Sequence, residues 1–402
     1  MAEHAANDVS SVKGKDIRGK LVTLELKKPA QLSLFQTFLA PDEDKYSNTI
    51  ELYDAIPKYY PRKHMDSLRI NDTFLRALTR DFEHRGEAFT VTIRPARIVH
   101  KDRSEQEFYP SFREEVVEDA LRKIACDSLN GVFLNEQAGV QFTLYELQKE
   151  LKARGHALNL QELVEALKIC NLASFSVEKA EGTAIIQSPI FPVLLIASKE
   201  DWLKNSKQAR CYVQFNPLVT ASINRLSYRQ YDYLTYMAYK HRLSRWLHKR
   251  LAHNYVQASM INPYTINLST ILRDSGSYKS PRANNCTREV EAALDELKSK
   301  GVIMSFEAAF KRGLRNKIID VAYTLRPDLS LSWLRVFRRA EASRISPGVG
   351  QQLHTNAVWS ENCVRLRGSA WARMRVIAVF FGPCTPDVLT AHGSAFSHNF
   401  KR

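Results

Sequence analysis

The sequence lacks the short signatures of common catalytic machinery. It has no GxxxxGK(S/T) loop, so an ATP-driven motor is not expected. It has no GxSxG elbow for a serine nucleophile. It has no His-hydrophobic-His pair, which a metal-dependent nicking nuclease would need. Its 6 cysteines (Cys126, Cys170, Cys211, Cys286, Cys363 and Cys384) form no CxxC pair, which argues against zinc ribbons and dithiol redox sites. Buried thiols are expected, with no metal or cofactor. No apolar run reaches the roughly 18 residues of a membrane span. The opening MAEHAANDVSSVKGK lacks the apolar core of a secretory signal, so a cytoplasmic protein is expected. The acid pairs Glu114–Glu115 and Glu118–Asp119 fall on an amphipathic helix, where solvation or compensation of the helix dipole accounts for them. Nothing in the sequence favours an enzyme.

What is present is size and an uneven charge. The chain has 402 residues, 44% of them hydrophobic, enough for two or three domains with their own cores. The net charge is +15. Residues 1–200 hold 27 Lys/Arg against 30 Asp/Glu, whereas residues 201–345 hold 25 against 11. A basic excess confined to one half is the footprint of a polyanionic partner, most often nucleic acid.

The pattern of elements suggests an α+β protein. Residues 1–20 are polar, and a disordered N-terminus is expected there. The 21–110 region is rich in strand-like alternation, as in LVTLEL, NTIELYD and EAFTVTIRPARIV. Between these, SLRINDTFLRALTRDF suits a short helix. From Pro110 the rhythm changes to FYPSFREEVVEDALRKIACDSL, an amphipathic helix. Two further helices follow, opened by the capping pairs Thr143/Glu146 and Asn159/Glu162. Two strands then flank a Lys179–Gly182 turn. Helix, helix, helix, β-ribbon is the order of a winged helix, a helix-turn-helix variant. The order recurs as a long helix over 227–256, a second helix begun near Asn267 or Ser269 and closed by Gly276, a third over 280–301, and strands about a basic Arg312–Arg315 turn. Tandem winged helices over 111–200 and 211–335 are expected, with a tail of unassigned fold over 346–402.

The third helix of the second copy is the most informative segment. With Pro281 at its first turn after Ser280 as N-cap, and Gly301 as stop, its core stripe is Ala283, Cys286, Val290, Ala293, Leu294 and Leu297. The opposite side carries Asn284, Asn285 and Arg288, at the end that enters the major groove in helix-turn-helix docking. Asn pairs with adenine and Arg with guanine, so these three are the candidate base readers. Tyr278, Lys279, Ser280 and Arg282 lie where phosphate contacts form. Arg242, Arg245, Lys249 and Arg250 on the preceding helix, with Lys311, Arg312 and Arg315 in the wing, complete the expected backbone contacts. The matching helix of the first copy shows Gln161, Glu162, Glu165 and Lys168. An acidic face is repelled by phosphate, which suits dimerisation better than DNA reading.

Residues 110–335 resemble plasmid replication initiators of the two-winged-helix, iteron-binding type. The likeness rests on FYPSFREEVVEDALRKIA, on SINRLSYRQYDYLTYMAYKHRLSRWLHKRL and on NCTREVEAALDELKSKGVI. It implies a bacterial, plasmid-associated protein that binds direct repeats in origin DNA through its second winged helix. It also implies self-association through the first, opening of adjacent DNA, and recruitment of a host initiator ATPase and a replicative helicase. Two other readings stay open: a tandem winged-helix transcription regulator, and a partition or adaptor protein that binds DNA without sequence preference.

Overall fold

The computed structural model describes residues 10–15, 21–26, 46–100, 102–127, 130–197, 209–225, 228–254, 262–277, 280 and 282–327. The tail over 346–402 lies outside these. The fold is α+β. It opens with β1 (Ser10–Lys15) paired antiparallel to β2 (Leu21–Leu26), so part of the N-terminus expected to be disordered is a strand. Next, β3 (Tyr46–Ile50) runs into the short α1 (Glu51–Ala55). Three hairpins follow: β4 (Arg69–Ile70) with β5 (Phe74–Leu75), β6 (Leu78–His84) with β7 (Glu87–Arg94), and β8 (Ala96–Val99) with β9 (Glu105–Phe108). The helix expected in SLRINDTFLRALTRDF is absent, and β4, β5 and β6 occupy most of it. Asn71 and Asp72 hold φ of 51° and 58°, a turn that no helix tolerates and that short polar side chains accept.

The remainder alternates helices and short strands. They are α2 (Phe112–Asp127), β10 (Gly131–Leu134), β11 (Gln137–Thr143), α3 (Leu144–Ala153), α4 (Leu160–Leu172), β12 (Ser174–Lys179), β13 (Ala184–Pro189), β14 (Val193–Leu195) and β15 (Arg210–Gln214). Then come α5 (Pro217–Asn224), β16 (Tyr228–Asp232), α6 (Tyr233–Met237), α7 (Arg242–Asn254), β17 (Tyr264–Asn267), α8 (Leu268–Asp274), α9 (Ala283–Ser299), β18 (Ile303–Arg312) and β19 (Ile318–Pro327). The order helix, helix, helix, hairpin thus occurs twice, interrupted after the first helix by strands that the periodicity did not reveal, two in the first unit (β10 and β11) and one in the second (β17).

The caps form as their residue types dictate. Thr143 accepts from the Glu146 amide at 3.0 Å, and the Glu146 carboxylate accepts from the Thr143 amide at 2.7 Å. Asn159 and Glu162 repeat the arrangement at 2.9 Å each way. Gly301, with φ of 70°, ends α9: its amide donates to Lys298, and the Val302 amide donates to Leu297. That pair of bonds satisfies two orphan carbonyls, and buried Val302 follows Leu297 into the core.

Strand pairing crosses the domain boundaries drawn from the sequence. β12 of the first helical unit pairs with β13 on one side and with β7 of the N-terminal region on the other, in the sheet β13-β12-β7-β6. β15, expected to start the second unit, pairs with β11 and β14 of the first. β16 pairs with β3. One apolar core runs from Ile50 to Leu325 through all of them. The single helix expected over 227–256 is replaced by β16, α6 and α7. Tyr228 and Tyr231 are buried along the strand, and Asp232 then caps α6 through the Thr235 amide at 2.9 Å.

Several histidines are enclosed by this core. His248 accepts or donates at 2.9 Å to the Tyr239 hydroxyl, and His253 sits 3.1 Å from the Thr49 hydroxyl. Burial pushes His248 down to about 4 and His253 down to about 3. Their folded affinity for protons is below that of the unfolded chain, so their contribution is complete above about pH 6.5 and is lost on acidification. Denaturation midpoints should fall between pH 6.5 and 4, by about 1.4 kcal/mol per pH unit for each such histidine. His248→Gln should flatten that slope in urea titrations repeated across the range.

Candidate nucleic-acid interface

α9 is amphipathic in the required sense. Cys286, Val290, Ala293, Leu294 and Leu297 are buried, as is Thr287, while Ala283 is only half-buried. Arg282, Asn284, Asn285 and Arg288 are all exposed on its N-terminal half. The helix begins at Ala283 with Arg282 as cap, later than the Ser280 start expected. Ser280 instead accepts from the Arg282 amide at 3.3 Å and from the Asn285 side chain at 3.4 Å. Arg288 in turn donates to Asn285 Oδ1 at 3.0 Å. Asn285 and Arg288 are therefore prearranged by one another and by Ser280, and Asn284 is exposed beside them. Half-buried Ala292 keeps the middle of this face low.

The rear of α9 is fixed to α7. The Ser244 hydroxyl on α7 donates to the Ala293 carbonyl at 3.1 Å and to Glu296 at 2.6 Å. The Glu296 carboxylate also accepts from the amides of Lys240 and His241, at 2.6 and 3.0 Å, just before α7 begins. Burial raises the Glu296 pKa, but these three donors outweigh it and hold the carboxyl below its usual range. Glu296 thus caps a neighbouring helix.

The expected row of phosphate contacts on α7 is not presented to solvent. Arg245 is 1% exposed, with its guanidinium 3.9 Å over the Phe112 ring and a donated bond to the Tyr239 carbonyl. Lys249 is buried and pairs with Asp119 at 2.6 Å and Asp54 at 3.6 Å. Half-buried Arg242 meets Glu115 at 3.4 Å, and half-buried Arg250 meets Asp274 at 3.1 Å and stacks on Trp246. Arg242, Lys249 and Arg250 neutralise interior or boundary carboxylates and Arg245 is enclosed against a ring and a carbonyl, so the assignment of all four to the DNA backbone is corrected. For the acid pairs, solvation is corrected at Glu114, Glu118 and Asp119, which are buried, while Glu114 and Glu115 do lie in the first turn of α2, where the helix dipole favours them. Burial raises the Asp54 and Glu118 carboxyls, but Arg122 and neighbouring lysines hold both below the ordinary range. Arg122 bridges them, at 2.9 Å to Asp54 and 2.8 Å to Glu118.

The wing is a hairpin of β18 and β19, in the three-stranded sheet β17-β19-β18 on which α9 packs. Lys311, Arg312 and Lys317 are exposed on it, the last not foreseen from the sequence. Arg315 lies in the turn, with its side chain outside the described residues; Tyr278 and Lys279 are outside them altogether. In the first unit, Gln161 and Glu162 on α4 are exposed, while Glu165 is held by Arg113 at 2.9 Å and lies 3.8 Å from Arg62. Among the described residues no cluster of His, Cys, Asp or Glu is arranged to hold a metal, and no helix is long and apolar enough to cross a membrane.

No family model and no curated protein matches this chain. It is similar to a solved structure of domains 2 and 3 of RctB, in selenomethionine form, at 11% identity and a TM-score of 0.40. That match covers 70% of this chain and 97% of the other. A second structure of RctB domains 2–3 gives 9% identity and a TM-score of 0.39, covering 69% and 97%. The Pi initiator protein in complex with iteron DNA gives 11% identity and a TM-score of 0.37, covering 54% and 92%. The last is of the initiator kind that the sequence resembles. Likeness at this level sets no residue's role, and the geometry above carries the reading that follows.

Buried and exposed cations should respond differently to truncation. Lys249→Ala leaves Asp119 uncompensated in the core and should cost about 3–5 kcal/mol in urea denaturation. Arg288→Ala, on the exposed face, should stay within about 0.5 kcal/mol of the parent.

Proposed function

We propose that this chain is a sequence-specific, non-enzymatic DNA-binding protein that initiates replication from origin repeats. The observation that carries this is α9: a helix sealed on one side by core and by α7, with Asn284, Asn285 and Arg288 exposed at its N-terminal half. Asn and Arg match adenine and guanine edges bidentately, and the N-terminal half of such a helix is the part that reaches them. The order α7, β17, α8, α9, β18, β19 supports a winged helix, and α2 to β13 supports a second, as the initiator resemblance implies. The exposed cations Arg282, Lys311, Arg312 and Lys317 supply phosphate contacts around the readers. α4, with Glu162 and Glu165 on its outer side, suits contact with another protein, and we assign self-association to the first unit. Recruitment of a host initiator ATPase and helicase follows from the same resemblance.

A transcription regulator of the same build would bind DNA equally well. The experiment that separates them is propagation: a plasmid carrying this gene with its flanking repeats replicates only if the chain is an initiator. A non-specific adaptor is separated by competition, because random DNA would then displace the protein as well as a repeat-bearing fragment does.

Arg288→Ala should lower affinity for a selected site by about 1–3 kcal/mol and relax preference at one base pair. Lys311→Ala and Arg312→Ala should weaken binding to all sequences and each reduce the salt slope by about 1. Fluorescence anisotropy across a salt series reads both. An equal Arg288→Ala loss on every sequence would remove that residue from base reading.

A further inference from the structure

The apex of the β18–β19 hairpin carries a residue that phosphate binding does not explain. Leu314 is 93% exposed, at a turn where small polar residues are usual. β18 is exposed from Ala309 to Arg312, but β19 opposite it is anchored, with Val321 buried, Asp320 bonded to Ser269 and Ile318 packed on the core, so only the tip over 312–317 leaves the body, as a short arm. The tip is braced. The Gly313 amide donates to the Lys317 carbonyl at 2.8 Å, the Lys317 amide donates back to Leu314 at 3.3 Å, and Arg312 donates to the Asn316 carbonyl at 3.4 Å. Asn316 takes the left-handed conformation, φ 60°, that the turn needs. A Cβ at Gly313 would stand 2.7 Å from Cδ1 of the exposed Ile319, so the two lie side by side at the base of the turn. Phe310 is engaged by the Arg312 guanidinium at 5.3 Å. Leu314 remains pointing outward, flanked by exposed Lys311, Arg312 and Lys317, with no acidic residue between Glu307 and Asp320.

We propose that this arm is a DNA-distorting wedge, in which the three cations hold the tip on phosphates and Leu314 enters a base-pair step and unstacks it. The proposal rests on the reading of α9 as the DNA-facing helix, because arm and helix share one sheet. The physical case has three parts. Apolar side chains inserted from the minor groove kink duplexes at flexible steps. Insertion removes from water a side chain that folding leaves exposed. A braced turn also holds its shape against the stack, which a loose loop would not. A lipid surface would offer anionic charge too, but Leu314 alone stands at the apex, with exposed Phe310 and Ile319 set back along the strands, so a narrow tip buries little area there.

The test uses the full chain and duplexes it selects from random-sequence DNA, with 2-aminopurine placed in turn at each step of the selected site and its flanks. The parent protein should raise fluorescence at one step. Leu314→Ser should abolish the rise on duplex held saturated with protein, while its urea midpoint stays that of the parent, as an exposed substitution should. Leu314→Met should restore it. A rise that survives Leu314→Ser, or no rise at any step of a duplex the parent binds, overturns the wedge and leaves the DNA reading standing. Failure to select any duplex overturns that reading and the wedge with it. Binding to phosphatidylserine vesicles that Leu314→Ser abolishes, without any rise on DNA, reassigns the tip to lipid.

Discussion

Asp119 and Lys249 are 130 residues apart in sequence and 2.6 Å apart in space, and much of the molecule is arranged around that contact. Beside it lie Asp54, Glu118 and Arg122, all buried, with Lys58 donating to the Tyr53 carbonyl at 2.9 Å. Three carboxylates and three cations are taken out of water here, from the N-terminal region, from α2 and from α7. Desolvating such groups is tolerable only when every charge finds its partner in good geometry. No one of the three segments can close its part of the core without the other two. The shared sheets β13-β12-β7-β6 and β16-β3 state the same dependence in backbone hydrogen bonds.

This interdependence explains which features the sequence disclosed. Local rules were readable because their causes are local. Thr143 with Glu146, Asn159 with Glu162, the α9 stripe and the Gly301 stop each lie within a few turns of their partners. The fate of the α7 cations was not readable. Arg242, Arg245, Lys249 and Arg250 look like a phosphate-binding row because a one-dimensional charge count cannot see Glu115 or Asp119, more than a hundred residues upstream, or the Phe112 ring beneath Arg245. The same blindness made Glu118 and Asp119 look solvated. β16 was missed because its buried tyrosines suit a helix as well as a strand until β3 is seen to pair with it.

The basic excess of the second half therefore divides into two populations. One is spent inside, neutralising acids of the first half, and so contributes to assembly rather than to the outer field. The other stays outside, at Arg282, Arg288, Lys311, Arg312 and Lys317, on and around one three-stranded sheet. The two copies of the helical unit differ correspondingly. α4 closes Glu165 onto Arg113 and Arg62, whereas α9 leaves its amides and guanidinium uncommitted to any acid.

The Ser244–Glu296 joint has a mechanical corollary. α9 is bonded to α7 at its flank and caps it at its end, and α7 ends in the buried charge cluster through Lys249. Load applied to the outer face of α9 is thereby carried along a stiff strut into a place where small displacements separate paired charges. The outer face of α9 and the centre of the protein are, in that sense, two ends of a single lever whose fulcrum is the turn at Lys240 and His241.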